Sequence, residues 1–240
     1  MQSIIIGKMT TLDYYSEEAY KNLRTNLEFC GKDVKAIAIT SCIPNEGKSS
    51  VLFNLARSIA AAGKRVLVVD ADMRKSVGVG RYRIIGAQYG LSHFLAGTKN
   101  LGDVLSETNI PNLYSIVAGP VPPNPAELLG ANVFGQLIHA ARDKFDYVLV
   151  DTPPIGSVID AAVVAKVCDG IALVISVNTV SYRFAQEAIE QLKKSDTKIL
   201  GTILNKVPLK NGGKYYGKYY GKYYGKYYGK YYGEEKGGKR

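Results

Sequence analysis

Three short stretches hold residues that could do phosphate chemistry. Residues 41–50, SCIPNEGKSS, follow an apolar, strand-like run and open a helical pattern. A turn in that setting aims backbone N–H groups and the positive end of a helix at phosphate oxygens. Asn45, Glu46, Gly47 and Ser50 are the candidate backbone cradle. Lys48 sets a point charge on the β- and γ-phosphates, and Ser49 offers a hydroxyl to Mg²⁺. The pattern GxxxxGK[ST] is broken at its first glycine, where Cys42 stands. A plain strand-to-helix turn that happens to contain GKS is therefore the competing reading.

Two further runs bear on that choice. RVLVVDADMR ends a second strand with Asp70 and Asp72, and YVLVDTPP ends a later one with Asp151. In a parallel sheet the carboxyl ends of the strands share one edge, and ligands bind there. Single acids after buried strands are often caps or turns. Three acids at the edge that carries a phosphate loop suit a magnesium nucleotide.

The end of the chain raises a different question. From residue 214 the unit KYYG repeats five times, which puts ten of the 18 tyrosines in one stretch: Tyr215, Tyr216, Tyr219, Tyr220, Tyr223, Tyr224, Tyr227, Tyr228, Tyr231 and Tyr232. Glycine at every fourth position opposes a helix at about 1 kcal/mol each. No aliphatic residue is present to build a core, so a flexible tail is expected.

The elements that must position the acids are legible as apolar runs. Strands are expected at 34–40, 65–69, 112–117, 147–150, 171–175 and 198–204. Helical spacing marks 48–62 and stretches near 133–144, 159–167 and 181–194. Continuous apolar strands alternating with amphipathic helices predict an α/β fold, a P-loop NTPase-like parallel sheet with helices on both faces. The expected organisation is an N-terminal helical segment over 1–35, the phosphate-loop domain over 36–210 and the tyrosine-rich tail over 211–240. In the first segment Tyr20, Leu23 and Leu27 make one helical stripe.

Composition narrows the setting. No run approaches the roughly 18 apolar residues of a membrane helix, and the start lacks the plan of a signal peptide. A cytoplasmic chain is expected. Three cysteines without CxxC spacing give no disulfide framework. The net charge is +10, but the tail holds eight Lys/Arg against two Glu, so +6 of it lies there. The domain's modest charge and the lack of a binding module argue against nucleic acid.

Taken together, SCIPNEGKSS, LVVDADMR and LVDTPP, in that order, resemble the Walker A, Walker A′ and Walker B motifs of the bacterial tyrosine kinases encoded with capsule and exopolysaccharide machinery. EEAYKNLRTNL, GLSHFLAG, PPNPAELL, DAAVVAKVCD and the tyrosine-rich end resemble further stretches of that family. The resemblance covers nearly the whole chain. It is closest to the Gram-positive, streptococcal and lactic-acid-bacterial branch, where kinase and membrane activator are separate polypeptides. Asn45 stands where that family has glycine, and Asn tolerates a left-handed backbone. The ring-assembly helix motif ExxRxxR has Glu18, Lys21 and Arg24 here.

The resemblance implies an ATP- and Mg-dependent protein-tyrosine kinase whose tail is its own substrate, phosphorylated in trans. It implies a role in capsule or exopolysaccharide synthesis and export. It also implies a homo-oligomer, a membrane-anchored activator related to chain-length regulators that recruits the chain to the inner face of the membrane, and a cognate phosphotyrosine phosphatase. In that scheme Lys48 holds the γ-phosphate, and Ser49, Asp72 and Asp151 form the metal group. Asp70 accepts or orients the phenol's proton, although Asp70 and Asp72 could exchange roles. Arg74 faces the acceptor or a neighbouring subunit, or makes a surface salt bridge. Asn205 contacts the base or caps a strand end. The competing class is a partition-type switch ATPase that phosphorylates nothing; the tyrosine tail and Ile43, in place of that group's early lysine, speak against it.

Overall fold

The computed structural model describes residues 1–208; the ten tail tyrosines and the proposed boundaries at 210 and 211 lie outside that range. In chain order the elements are β1 (Gln2–Ile6), α1 (Tyr14–Glu28), β2 (Ala36–Ser41), α2 (Lys48–Ala61), β3 (Val66–Asp70), α3 (Gly78–Tyr82) and β4 (Ile84–Ile85). Then come α4 (Leu91–Leu95), α5 (Leu101–Val104), β5 (Ser106–Thr108), β6 (Leu113–Ile116), α6 (Pro125–Gly130), α7 (Asn132–Lys144) and β7 (Tyr147–Asp151). The last are α8 (Asp160–Ala165), β8 (Gly170–Ser176), α9 (Tyr182–Lys193) and β9 (Ile199–Asn205).

The strands form one sheet in the order β4-β1-β5-β6-β3-β7-β2-β8-β9. From β6 to β9 all neighbours are parallel. Alternate residues of β2 feed two cores. Ala36 and Ala38 point to the layer with Leu129, Phe134, Ile138 and Leu192 from α6, α7 and α9. Ile37 and Ile39 point to the layer with Leu27 of α1 and Leu52, Leu55 and Ile59 of α2. This is the expected sheet covered on both faces.

Two features depart from the sequence reading. The sheet is mixed, because β5 pairs antiparallel with β6 and β4 pairs antiparallel with β1. Residues 1–35 are also more than a helical segment, since β1 lies inside the sheet between β4 and β5. Ile4 and Ile6 are buried while Ile5 is 54% exposed. That is strand alternation, but in so short a run it is indistinguishable from an ordinary apolar start. The helix itself forms as expected. Asp13 caps it by accepting from Ser16 N at 2.7 Å, and Tyr20, Leu23 and Leu27 pack on the α2 side.

The amino end of β2 is fastened by one carboxylate. Asp169 Oδ2 accepts from Lys35 N at 3.0 Å and Ala36 N at 2.8 Å, while Arg142 holds Oδ1 at 2.9 Å. Replacing this acid strands two backbone donors and an arginine. Asp169→Ala is expected to cost about 3 kcal/mol in urea unfolding with an unchanged m-value.

Candidate active site

The order β3-β7-β2 sets three strand ends side by side at the carboxyl edge of the sheet. Asp70 is in register with Asp151 on the neighbouring strand, and Ile39 of β2 with the same Asp151. The loop from Cys42 to Gly47 follows β2 directly, and Lys48 is the first residue of α2. Asn45 has φ 67° and Gly47 φ 90°. Asn takes the left-handed turn where the kinase pattern has glycine, with little strain.

The loop is braced from beneath. Glu46 is fully buried, its carboxylate accepting from Ile43 N at 2.9 Å and from Ser176 N, at the end of β8, at 3.1 Å. Its side chain is thus a structural tie, which leaves only its backbone for the phosphate cradle expected from the sequence. Asn205, the last residue of β9, donates from Nδ2 to the carbonyl of Glu46 at 2.8 Å, beside Gly47. Its place next to the loop suits both readings made of it. Ser50 is held through its hydroxyl by Arg81 of α3, and Tyr82 donates to the carbonyl of Ser49 at 3.2 Å. Cys42, at the broken glycine position, is buried and accepts at its carbonyl from Gly156 N at 3.1 Å.

The chemistry-bearing side chains meet above this frame. Lys48 Nζ lies 3.0 Å from Asp72 Oδ2, 3.2 Å from Asp151 Oδ1 and 3.4 Å from Ser49 Oγ. Lys48, Ser49, Asp72 and Asp151 are all buried. Burial alone would lower the ammonium's pKa, but the charges of Asp151 and Asp72 outweigh it and raise it. Burial raises Asp151, against the opposing pull of Lys48. Asp70 is pushed up to about 7, first by burial and then by the charge of Asp151. Its Oδ2 accepts from Ser76 Oγ at 2.5 Å and its Oδ1 from Asp72 N at 3.2 Å.

Arg74 pairs with Asp160 and still feels the charge of Asp72. Its guanidinium grips the buried Asp160 with two bonds, at 2.8 and 3.1 Å, which fixes the start of α8. That is the salt bridge of the two alternatives. Lys21 pairs with Glu18 at 2.7 Å, and Arg24 reaches Ser58 O on α2 at 2.8 Å. Sequence reasoning missed Ser76, Arg81 and Tyr82, which lie on or before a five-residue helix with no strong pattern. It did anticipate the meeting of Lys48, Ser49, Asp72 and Asp151.

The donor set can be tested for a metal. Among the described residues no group of three or more His, Cys, Asp or Glu is arranged to hold an ion by itself. Magnesium differs from calcium in this respect: it uses one or two carboxylates and completes its shell with water and phosphate. One hydroxyl and two carboxylates, gathered around the Lys48 ammonium, fit that habit.

The raised pKa of Asp70 makes the stability of the metal-free protein depend on pH. A carboxyl with folded pKa near 7 keeps a proton that the unfolded chain releases near 3.8. The associated stability is therefore full below about pH 4 and is lost as pH rises to about 7. Asp70→Asn mimics the protonated acid. It is expected to raise Tm by roughly 5–10 °C at about pH 8 and by nothing near pH 4, read by calorimetry in a chelator.

The comparisons with known proteins agree with this geometry. The sequence profile of a family described as an AAA domain matches residues 34–207. The tyrosine-protein kinase CpsD of Streptococcus agalactiae is 45% identical over 192 residues, spanning 80% of this chain and 84% of that protein. The kinase domain of the Escherichia coli tyrosine kinase ETK superposes with a TM-score of 0.75 at 31% identity, covering 82% of this chain and 79% of that one. The septum site-determining protein MinD of Pyrococcus horikoshii, complexed with Mg-ADP, gives a TM-score of 0.61 over 77% of this chain and 76% of its own. At 23% identity that likeness is one of fold. With the motifs, the strand order and the relatives in agreement, the chain belongs to the bacterial tyrosine-protein kinases, enzymes that use ATP to phosphorylate tyrosine.

Proposed function

We propose that this kinase transfers the γ-phosphoryl group of ATP to the tyrosines of its own tail, Tyr215 to Tyr232, in trans within a homo-oligomer. The observation that carries the reading is the convergence of Lys48, Ser49, Asp72 and Asp151 beside Asp70 in a chain that ends in ten repeated phenols. In phosphoryl transfer the protein mainly positions groups and stabilises charge. The N–H groups that open α2 meet the phosphates, and Lys48 exchanges its carboxylate partners for the γ-phosphate. Ser49, Asp72 and Asp151 would hold Mg²⁺, which would neutralise phosphate charge. Asp70 takes the phenolic proton. The phenolic oxygen bonds to the γ-phosphorus, the bridging bond to ADP breaks, and ADP leaves with that electron pair. Asn205 lies where a base could touch it.

About thirty residues of glycine-rich chain span roughly 30 Å, enough to visit a neighbour's site. Each phosphate adds about −1.5 to −2 charges, so about four offset the tail's +6. The charge reversal weakens self-docking and contact with anionic lipid. Among the described residues no helix is long and apolar enough to cross a membrane. Recruitment to the inner membrane face falls, as the family resemblance implies, to a membrane-anchored activator related to chain-length regulators. A phosphotyrosine phosphatase resets the cycle, and the cycle regulates capsule or exopolysaccharide synthesis and export. The relatives named as tyrosine-protein kinases support the activity, and the capsule-linked resemblance supports the pathway.

Incubation with Mg-ATP, with and without the activator's cytosolic segment, followed by phosphotyrosine mass spectrometry, tests this. Label is expected on Tyr215–Tyr232 and is expected to fall at least a hundredfold in Lys48→Met. Phosphate release without tail label would instead mark a switch ATPase.

A further inference from the structure

One cation beside the phosphate loop has no task in the transfer chemistry. Arg81 stands in the last turn of α3 and is exposed. A basic residue there suits the helix dipole, and many such residues do nothing more. Two observations set this one apart. Its guanidinium reaches across to α2 and donates from Nη1 to the hydroxyl of Ser50, 31 residues back along the chain. Among the described residues no ion pair includes it, so its charge stands uncompensated.

The neighbouring residue fixes where that charge sits. Tyr82 is buried, stacks on Phe53 of α2 with ring centroids 4.0 Å apart and donates to the carbonyl of Ser49 at 3.2 Å. The end of α3 is thereby bolted to the first turns of α2, and Arg81 is carried to the phosphate loop by a rigid element. Ser50 also marks which phosphates are near. Val51 N makes the bond to Gly47 O at 2.9 Å, so the N–H groups of Lys48, Ser49 and Ser50 precede it and are the donors left for a ligand. Lys48 serves the β/γ end of a triphosphate, and the backbone serves the α/β end. A guanidinium on the Ser50 hydroxyl stands at that second end, with forked donors that match a pair of phosphate oxygens.

We infer that Arg81 is a phosphate-binding residue, which exchanges the Ser50 hydroxyl for oxygens of the α- and β-phosphates when nucleotide binds. The inference rests on the nucleotide site proposed for Lys48 and adds a residue to it. Because the γ-phosphate is left to Lys48, Arg81 holds ADP as firmly as ATP. Its effect falls on nucleotide capture and on retention of the ADP product.

Isothermal titration of the full chain with Mg-ADP and with non-hydrolysable Mg-AMPPNP tests this. Arg81→Gln is expected to weaken both by about tenfold, and Arg81→Lys, which keeps the charge and loses the fork, by about two- to fivefold. The gap between wild type and Arg81→Gln is expected to narrow at high salt. The melting temperature of nucleotide-free Arg81→Gln is expected within about 2 °C of wild type, as for other exposed side chains. Ser50→Ala separates direct from indirect action, since it removes the hydroxyl and keeps the N–H. In that background Arg81→Gln is expected to weaken Mg-ADP by the same factor. Unchanged affinity in Arg81→Gln, an effect that vanishes in Ser50→Ala, a loss confined to AMPPNP, or a loss matched by a fall in the nucleotide-free melting temperature would each overturn the assignment. Wild-type protein that binds neither nucleotide would overturn the site itself, and the role of Arg81 with it.

Discussion

Everything at the active edge depends on the adjacency of β3, β7 and β2. Asp151 sits at the end of the middle strand, so one carboxylate touches the domains of influence of both neighbours: the phosphate-loop lysine from the β2 side and Asp70 from the β3 side. A register slip of one residue would turn each acid to the opposite face of the sheet. The apolar alternation of β2, β3 and β7 between two helix layers prevents that slip. The geometry of the chemistry is thus a by-product of core packing.

The cluster it creates is electrostatically unfinished. One ammonium serves three acids, of which Asp72 and Asp151 contact it directly while Asp70 keeps a proton to near neutrality. Buried charges are costly unless compensated, and in the proposed reaction a magnesium nucleotide would bring both a further cation and phosphates for Lys48. The frame below is finished by contrast. Glu46, Ser176 and Asn205 close every visible bond of the loop's underside.

Much of this was legible in the residues. The six long strands, the helices between them and the meeting of Lys48, Ser49, Asp72 and Asp151 follow from apolar runs ending in acids after a phosphate-loop pattern. β4 and β5 were hidden because two and three residues carry too little periodicity, and β1 because its exposed Ile5 is as apolar as the buried Ile4 and Ile6. The inward turn of Glu46 was hidden for another reason: a loop acid next to GK reads as exposed, and only the tertiary neighbour at Ser176 shows why it is buried. Arg74 was expected to face the acceptor or a neighbouring subunit or to make a salt bridge, and its buried partner Asp160, 86 residues away, could not be foreseen from the sequence.

The position of β1 has a practical side. Gln2–Ile6 pairs with β5 on one flank and β4 on the other, so the first residues are interior threads rather than a loose end. Truncating them, or tethering a bulky fusion there, would bare two raw strand edges at once. Such edges recruit strands from other molecules, and the harvest from an over-trimmed gene would be inclusion bodies rather than enzyme.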